Sequence, residues 1–129
     1  MKREIKFRAW HTDMKKMFSP DEMGEDQLTL MTDGRGFVNV SGSSTKLSTF
    51  AGDKMIPMQF TGLKDKNGKE IYEGDLLKHD IWGIDEVIWD DEGACFRGKS
   101  EEHDITLAHH QLQRSKVIGN IYEHPDLLT

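Results

Sequence analysis

The chain has 129 residues, of which 36% are apolar and 31% charged, and its net charge is −6. That length allows one domain, or two small subdomains that share a core. No apolar run approaches the roughly 20 residues needed to cross a bilayer, and the charged N-terminus has no apolar segment behind it, which excludes membrane and secretory-signal interpretations. The single cysteine, Cys95, cannot form an internal disulfide, so a cytoplasmic protein is the simplest interpretation.

The first predicted element is a β-hairpin. Residues 5–10 alternate, with Ile5, Phe7 and Ala9 on one side and Lys6, Arg8 and Trp10 on the other. Period-two alternation predicts a half-buried strand. Residues 11–13 are interpreted as a turn and residues 14–18 as the returning strand. The strand ends before Pro20, where proline and the acidic residues after it favour a loop or the start of a helix.

The middle of the chain predicts a second hairpin and a connector. Residues 28–32 and 37–40 flank Asp33-Gly34-Arg35-Gly36, whose glycines permit the positive φ angles of a tight turn. Residues 41–45, rich in Ser and Gly, predict a flexible connector. A strand resumes at residues 55–60, where Pro57 indicates an edge or a strand start.

The second half predicts further short strands. Asn67-Gly68 marks a tight turn, and Gly74-Asp75 precedes a strand. The predicted strands are residues 76–79, 84–89, 94–97, 105–107 and 116–121, with a turn or single helical turn at 124–128. This spacing, without a sustained helical period, predicts a mainly β fold. We expect one domain, residues 1–129, in which an N-terminal β-hairpin region (1–60) packs with an SH3-like small barrel (61–129).

Three blocks carry a family pattern. Residues 3–10 read REIKFRAW, residues 58–75 read MQFTGLKDKNGKEIYEGD, and residues 117–128 read VIGNIYEHPDLL. In order and spacing they resemble the YopX family, which more often has asparagine where this chain has His124. The resemblance implies a phage or prophage origin, a mainly β fold and self-association. The family has no established activity, so the resemblance supplies no catalytic residues.

Residues 61–75 are dense in Gly, Asp and Lys, as phosphate-binding loops are. They lack the Gly-x-x-x-x-Gly-Lys-Ser/Thr spacing, and no predicted helix follows them. Cys95 is interpreted as a small apolar filler, and no Gly-x-Ser-x-Gly motif is present. The sequence therefore predicts turn-setting glycines, no catalytic residues and no enzyme activity.

The acidic C-terminal half of the chain, residues 65–129, contains several possible metal ligands. These are His79, Asp80, Asp90, Asp91, Glu92, His103, Asp104, His109 and His110. Adjacent residues on a strand point to opposite faces, so a site would need ligands from several strands, for example Asp75, His79 and His103. No HExxH, paired CxxC or EF-hand spacing is present. We therefore predict no metal and no other cofactor.

Two binding functions remain as hypotheses. Lys6, Arg8 and Lys15 beside aromatic side chains suit nucleic-acid contact, although residues 65–129 carry a net charge of −8, which opposes a phosphate backbone. Trp10, Trp82 and Tyr122 are of the type enriched at interfaces, or else belong to the core. We predict first a non-enzymatic, self-assembling phage accessory protein that forms homo-oligomers and contacts a host or phage protein. A nucleic-acid-binding accessory protein is the second interpretation, and a metal-dependent enzyme is the third.

Overall fold

The computed structural model describes residues 3–25, 27–34, 36–39 and 54–128; the predicted connector at 41–45 lies outside them. The chain divides into two compact units, a first unit of residues 6–59 and a second unit of residues 60–129 with residues 1–5. About half of the described residues are in strands, which confirms the mainly β prediction. Among the described residues, no helix has both the length and the apolar character that a membrane crossing requires.

The first unit begins with the predicted hairpin. Strands β1 (Phe7–His11) and β2 (Lys16–Phe18) are antiparallel, with Ala9 opposite Phe18. The turn lies later than predicted, because His11 belongs to β1 and Lys15 is in the turn with φ of 51°. The backbone N–H of Met14 donates to His11 Nδ1 at 3.0 Å, which closes the turn at this later position.

A short helix follows where the sequence favoured a loop or the start of a helix. Helix α1 (Pro20–Glu25) begins after Ser19. Ser19 Oγ accepts from the Glu22 N–H and Glu22 Oε1 accepts from the Ser19 N–H, both at 3.1 Å. This is a capping box with proline in the first helical position.

The rest of the first unit encloses a small core. Strands β3 (Leu28–Leu30) and β4 (Phe37–Asn39) form the predicted second hairpin. Strand β5 (Met55–Lys64) pairs with β1 through its first half, with Pro57 opposite Ala9. The buried core consists of Ala9, Phe18, Met23, Phe37 and Met55.

The second unit contains most of the strands. They are the end of β5, β6 (Glu70–Tyr72), β7 (Asp75–His79), β8 (Gly83–Asp90), β9 (Cys95–Lys99), β10 (Asp104–Thr106) and β11 (Ser115–Asn120). Strands β7 to β11 form an antiparallel sheet in the order β10-β9-β8-β7-β11. The curled sheets of the protein include a half-barrel, and the SH3-like assignment of residues 61–129 stays a prediction.

Three 3-10 helices complete the second unit: Leu107–His109, Leu112–Arg114 and Pro125–Leu128. Leu107 was expected in a strand but lies in the first of these helices, where it is buried. The last helix confirms the helical turn predicted at the C-terminal end. The core of this unit is made of Ile71, Leu77, Val87 and Leu107.

The glycines of residues 61–75 set corners, as the sequence predicted. Gly62, Gly68 and Gly74 have φ of 86°, 80° and 88°, a region that side-chain-bearing residues rarely adopt. Asp65 holds the Asn67-Gly68 turn, because Asp65 Oδ1 accepts from the N–H of Asn67 at 2.8 Å and of Lys69 at 2.9 Å.

Candidate functional site

Polar side chains lie on the inner face of the five-stranded sheet. In β8, Asp85 and Val87 are fully buried while Ile84 and Glu86 are partly exposed, so Asp85 points into the unit. Antiparallel pairing sets Leu77 of β7 opposite Asp85. His103 comes from the connection between β9 and β10, and His110 directly follows the Leu107–His109 helix.

Asp85 is the centre of this arrangement. Its Oδ2 lies 2.7 Å from His110 Nε2 and 2.8 Å from His103 Nδ1. Asp85 and His110 are fully buried, and the His103 side chain is 20% exposed. Burial alone would raise the pKa of the Asp85 carboxyl, but the hydrogen bonds from His110 and His103 outweigh it and hold that pKa below its usual value. The carboxylate is therefore the charged form in this setting.

The ring of His110 is fixed from two further sides. Its Nδ1 lies 3.2 Å from the hydroxyl of Ser115, which is also fully buried. A Cβ at Gly98 would lie 2.6 Å from His110 Cδ2, so the close approach of β9 to the ring requires glycine. The imidazole is held in one orientation before any ligand arrives.

Trp82 covers the histidines. Its ring stacks on His79 with 3.9 Å between centroids and lies tilted against His103 at 4.5 Å. His79 Nδ1 accepts from the N–H of Ile81 at 3.0 Å, so the proton of this ring resides on Nε2, which faces Gln111 Oε1 at 3.4 Å. We call Asp85, His79, His103, His110 and Trp82 the histidine cluster.

Ser115, His110 and Asp85 are the three residue types of a hydrolase triad. In such triads the base nitrogen next to the serine is Nε2 and the carboxylate holds Nδ1. Here the order is reversed, with the serine on Nδ1 and the carboxylate on Nε2. Because the described residues bury Ser115 and His110 completely, a substrate has no access to the hydroxyl. This arrangement orients the ring and does not form a nucleophile.

The structure brings together only part of the ligand set considered from the sequence. His79, His103 and His110 lie in one cluster, whereas Asp104 pairs with Arg97 at 2.6 Å. Asp90, Asp91 and Glu92 are at the β8–β9 turn, where the Glu92 N–H donates to Asp90 Oδ1 at 3.1 Å. Asp75 accepts from the backbone N–H of Tyr72 at 2.7 Å. Asp85 was not among the candidate ligands and joins them in the folded chain, on the buried face of β8.

The predicted contact residues lie at several separate places. Lys6 directly precedes β1, Arg8 and Trp10 are half-buried within it, and Lys15 is exposed in the turn that follows. Trp10 is paired in register with Met17 and Ile56.

In the second unit, Trp82 belongs to the histidine cluster, and Tyr122 is half-buried just after β11. Their roles in nucleic-acid contact or at an interface stay predictions.

A groove lies on the other face of the same sheet. It is open to solvent, has a volume of about 700 Å³, and is lined by residues of strands β7 and β8, the end of β9 and the Pro125–Leu128 helix. Its apolar residues are Ile84, Leu127 and Leu128, and its charged residues are Lys78, Glu86, Lys99 and Glu101. Since Ile84 and Glu86 alternate with Asp85 along β8, the groove and the histidine cluster occupy opposite faces.

These features define a small, mainly β protein whose second unit buries a histidine–carboxylate cluster on one face of an antiparallel sheet and carries a groove on the other. The sequence profile of the YopX protein family matches residues 6–129. The chain therefore belongs to the YopX family.

Two solved structures agree with this assignment. The crystal structure of protein EF1440 from Enterococcus faecalis is 28% identical, with a TM-score of 0.68 over 99% of this chain and 100% of that one. The crystal structure of protein YopX from Bacillus subtilis is 18% identical, with a TM-score of 0.59 over 95% of both chains. The second likeness concerns the fold alone. A comparison with functionally curated proteins gave no match.

Proposed function

We propose that this protein is a non-enzymatic, self-assembling protein-interaction module that serves a phage or prophage in the host cytoplasm and also contacts a host or phage protein. The observation that carries the proposal is the groove between the sheet and the Pro125–Leu128 helix. Family membership is compatible with this role and does not specify it.

The residues of the groove resemble a protein interface in composition. Ile84, Leu127 and Leu128 provide apolar surface, and Leu128 is 43% exposed. Charged side chains accompany them. Protein–protein contacts combine apolar and polar surface, and an exposed apolar side chain such as Leu128 gains free energy when a partner covers it.

The charges favour a second copy of the same chain. Lys78 and Lys99 balance Glu86 and Glu101, so two copies related by a two-fold axis can place each lysine against a glutamate of the other. A nucleic acid would instead require an excess of positive charge.

Strand addition is disfavoured at the β11 edge of this sheet. Ser115 O accepts from the Lys66 N–H at 3.0 Å, and the Val117 N–H donates to Asp65 Oδ2 at 2.9 Å. Backbone groups engaged in this way cannot pair with a strand from another chain. Side-chain contact through the groove is therefore better supported than strand addition at the β11 edge.

Light scattering after size exclusion tests the proposal across a concentration series. We expect a dimer whose dissociation constant rises at least about tenfold in Leu128→Glu. The matched control is Ile81→Glu, since Ile81 is 69% exposed in the same unit but does not line the groove. A monomer at every concentration, or a dimer unaffected by Leu128→Glu, would contradict the proposal.

The alternative function, nucleic-acid binding, is tested in parallel with an oligonucleotide-binding assay. If labelled single-stranded oligonucleotides bind at low salt, lose affinity steeply as salt rises, and fail to bind the double variant Lys6→Glu/Arg8→Glu, the protein is a nucleic-acid-binding accessory factor instead. Under our proposal, the oligonucleotides stay unbound in all variants.

A further inference from the structure

We propose that Asp85, His103 and His110 form a binding site for one divalent transition-metal ion of the zinc class. Nothing in the sequence motifs or in the groove requires such a site. It rests on the ligand geometry, on one unpaired oxygen atom and on the outer contacts of His110.

The ligand geometry comes first. One carboxylate oxygen and two imidazole nitrogens, each from a different segment of the second unit, lie within 4.8 Å of one another. Two donors at about 2.1 Å from a tetrahedral ion are about 3.4 Å apart. Asp85 Oδ2 and His110 Nε2, now at 2.7 Å, would therefore separate by less than about 1 Å to admit the ion.

The second observation is independent of this geometry. Asp85 is fully buried, and its Oδ1 has no hydrogen-bond partner among the described residues. A buried carboxylate oxygen without a partner is costly, and an unseen ion or water is a standard explanation for one. The negative charge of Asp85 is now stabilised by two N–H donors, those of His103 and His110. A cation beside Asp85 would neutralise that charge.

The contacts around His110 suit a metal ligand. Metal-binding imidazoles regularly use their second ring nitrogen in a hydrogen bond that fixes their orientation. When Nε2 binds the ion, Nδ1–H can donate to Ser115 Oγ at 3.2 Å, and that hydroxyl can donate to Gln111 O at 3.4 Å. Every polar hydrogen in this chain of contacts then has an acceptor.

The donor set indicates the class of metal. Two imidazoles and one carboxylate suit zinc and its transition-metal neighbours, whereas Ca²⁺ and Mg²⁺ prefer shells of oxygen ligands. His79 is excluded as a ligand through Nδ1, because that atom accepts backbone hydrogen bonds from Ile81 and Trp82. Three protein ligands leave a coordination position for water, and the His103 side chain, 20% exposed, is the ligand that solvent reaches.

Binding displaces protons in a defined way. In the metal-free state the two rings share Asp85 Oδ2 through His103 Nδ1 and His110 Nε2. An ion would take the place of these bridging hydrogens, and each neutral ring would keep its proton on its other nitrogen, Nδ1 of His110 and Nε2 of His103. No redox step or bond cleavage is involved.

The test uses the full chain, stripped of metal with a chelator and titrated with Zn²⁺ by calorimetry and with Co²⁺ by visible absorption. We expect one ion per chain, a tetrahedral Co²⁺ spectrum, and a melting temperature that rises with free Zn²⁺ but not with Mg²⁺. His103→Ala should weaken Zn²⁺ binding at least about 100-fold. Because this side chain is partly exposed, the variant should keep its fold, which its metal-free melting curve checks.

His109→Ala is the matched control. His109 is the neighbouring residue of His110, is exposed, and contacts Thr106 Oγ1 rather than the cluster. It should bind Zn²⁺ like the wild type. The proposal is overturned if folded wild-type chain takes up no Zn²⁺ at about 100 μM, a concentration that even a weak site would occupy. Equal binding by His103→Ala, or equal loss in His109→Ala, overturns it as well.

Discussion

The carboxylate of Asp65 accepts a hydrogen bond from the backbone N–H of Val117, 2.9 Å away and 52 residues later in the chain. Its other oxygen accepts from Asn67 and Lys69. One acidic side chain thus closes a tight turn and attaches strand β11 to it. Since Asp65 and Val117 lie in two of the sequence blocks that resemble the family, those blocks have a structural explanation.

We expect the ionised carboxylate of Asp65 to stabilise the fold, and this contribution to be lost in acid. Burial alone would raise its pKa, but the N–H donors of Val117, Lys69 and Asn67 outweigh it and lower that pKa. The unfolded chain therefore takes up the proton first as the pH falls. The contribution is complete above the ordinary aspartate pKa and is lost as the pH falls through the lowered, folded-state value.

We expect Asp65→Asn to lose about 1–3 kcal/mol of unfolding free energy at neutral pH, because its amide NH₂ would face the Val117 N–H. The loss should shrink toward acid pH. Urea denaturation over a pH series measures both effects. Asp91→Asn, at an exposed residue of the β8–β9 turn, is the control, and similar pH profiles for the two variants would refute this account.

We expect a side chain added at position 119 to clash with the ring of His124. A Cβ at position 119 would lie 2.5 Å from His124 Nδ1, and that nitrogen accepts from the Asn120 N–H at 3.2 Å. Gly119→Ala should therefore cost about 1–3 kcal/mol of unfolding free energy. Asparagine, the residue we expect more often at position 124 in the family, is smaller and can accept the same bond.

A double-mutant cycle measures this coupling. We expect Gly119→Ala/His124→Asn to be more stable than the sum of the two single changes predicts, by at least about 0.5 kcal/mol. Additive thermal or urea denaturation data would mean that the His124 ring moves aside without cost.

We expect the ionisation of Tyr122 to destabilise the fold at alkaline pH. Burial, followed by the charges of Glu73 and Glu86, raises its pKa above the ordinary value of 10.0. The folded protein holds the phenolic proton longer than the unfolded chain does. Stability should therefore fall as the pH rises from the ordinary tyrosine pKa through the raised, folded-state pKa.

Ultraviolet titration of the Tyr72→Phe variant reports Tyr122 alone, since the chain has two tyrosines. Phenylalanine preserves the ring that packs against Phe60, 5.5 Å between centroids. We expect a midpoint above that of free tyrosine, lowered when Glu73→Gln is added. A midpoint at the free value in folded protein would show that Tyr122 is solvated.

Local pattern accounts for much of the fold. The alternation along residues 5–10 predicted strand β1, and the glycines at 62, 68 and 74 predicted turns. For helix α1 the sequence left a loop or a helix start open, because six residues are too few for a helical period. Its signal was the spacing of Ser19 and Glu22, which marks a capping box without any apolar stripe.

The histidine cluster could be predicted only in part. His79, His103 and His110 were candidates by residue type, but nothing local relates them. Their meeting depends on the pairing of β7 with β8 and of β8 with β9, which sequence alternation does not fix. Asp85 was overlooked because the sequence does not show that its side chain points inward or that His103 and His110 lie beside it. Without those partners, a charged residue in a strand is not recognised as part of a site.

The place of β11 in the sheet affects how the protein is made. It is the last strand of this sheet in chain order, yet it pairs with β7, which lies about 40 residues earlier in the chain. A nascent chain halted before Ser115 would present β7, an internal strand of the finished sheet, with an open edge that other chains can join. The pairing of β11 with β7 is thus what covers this edge of β7 and keeps other chains from joining it.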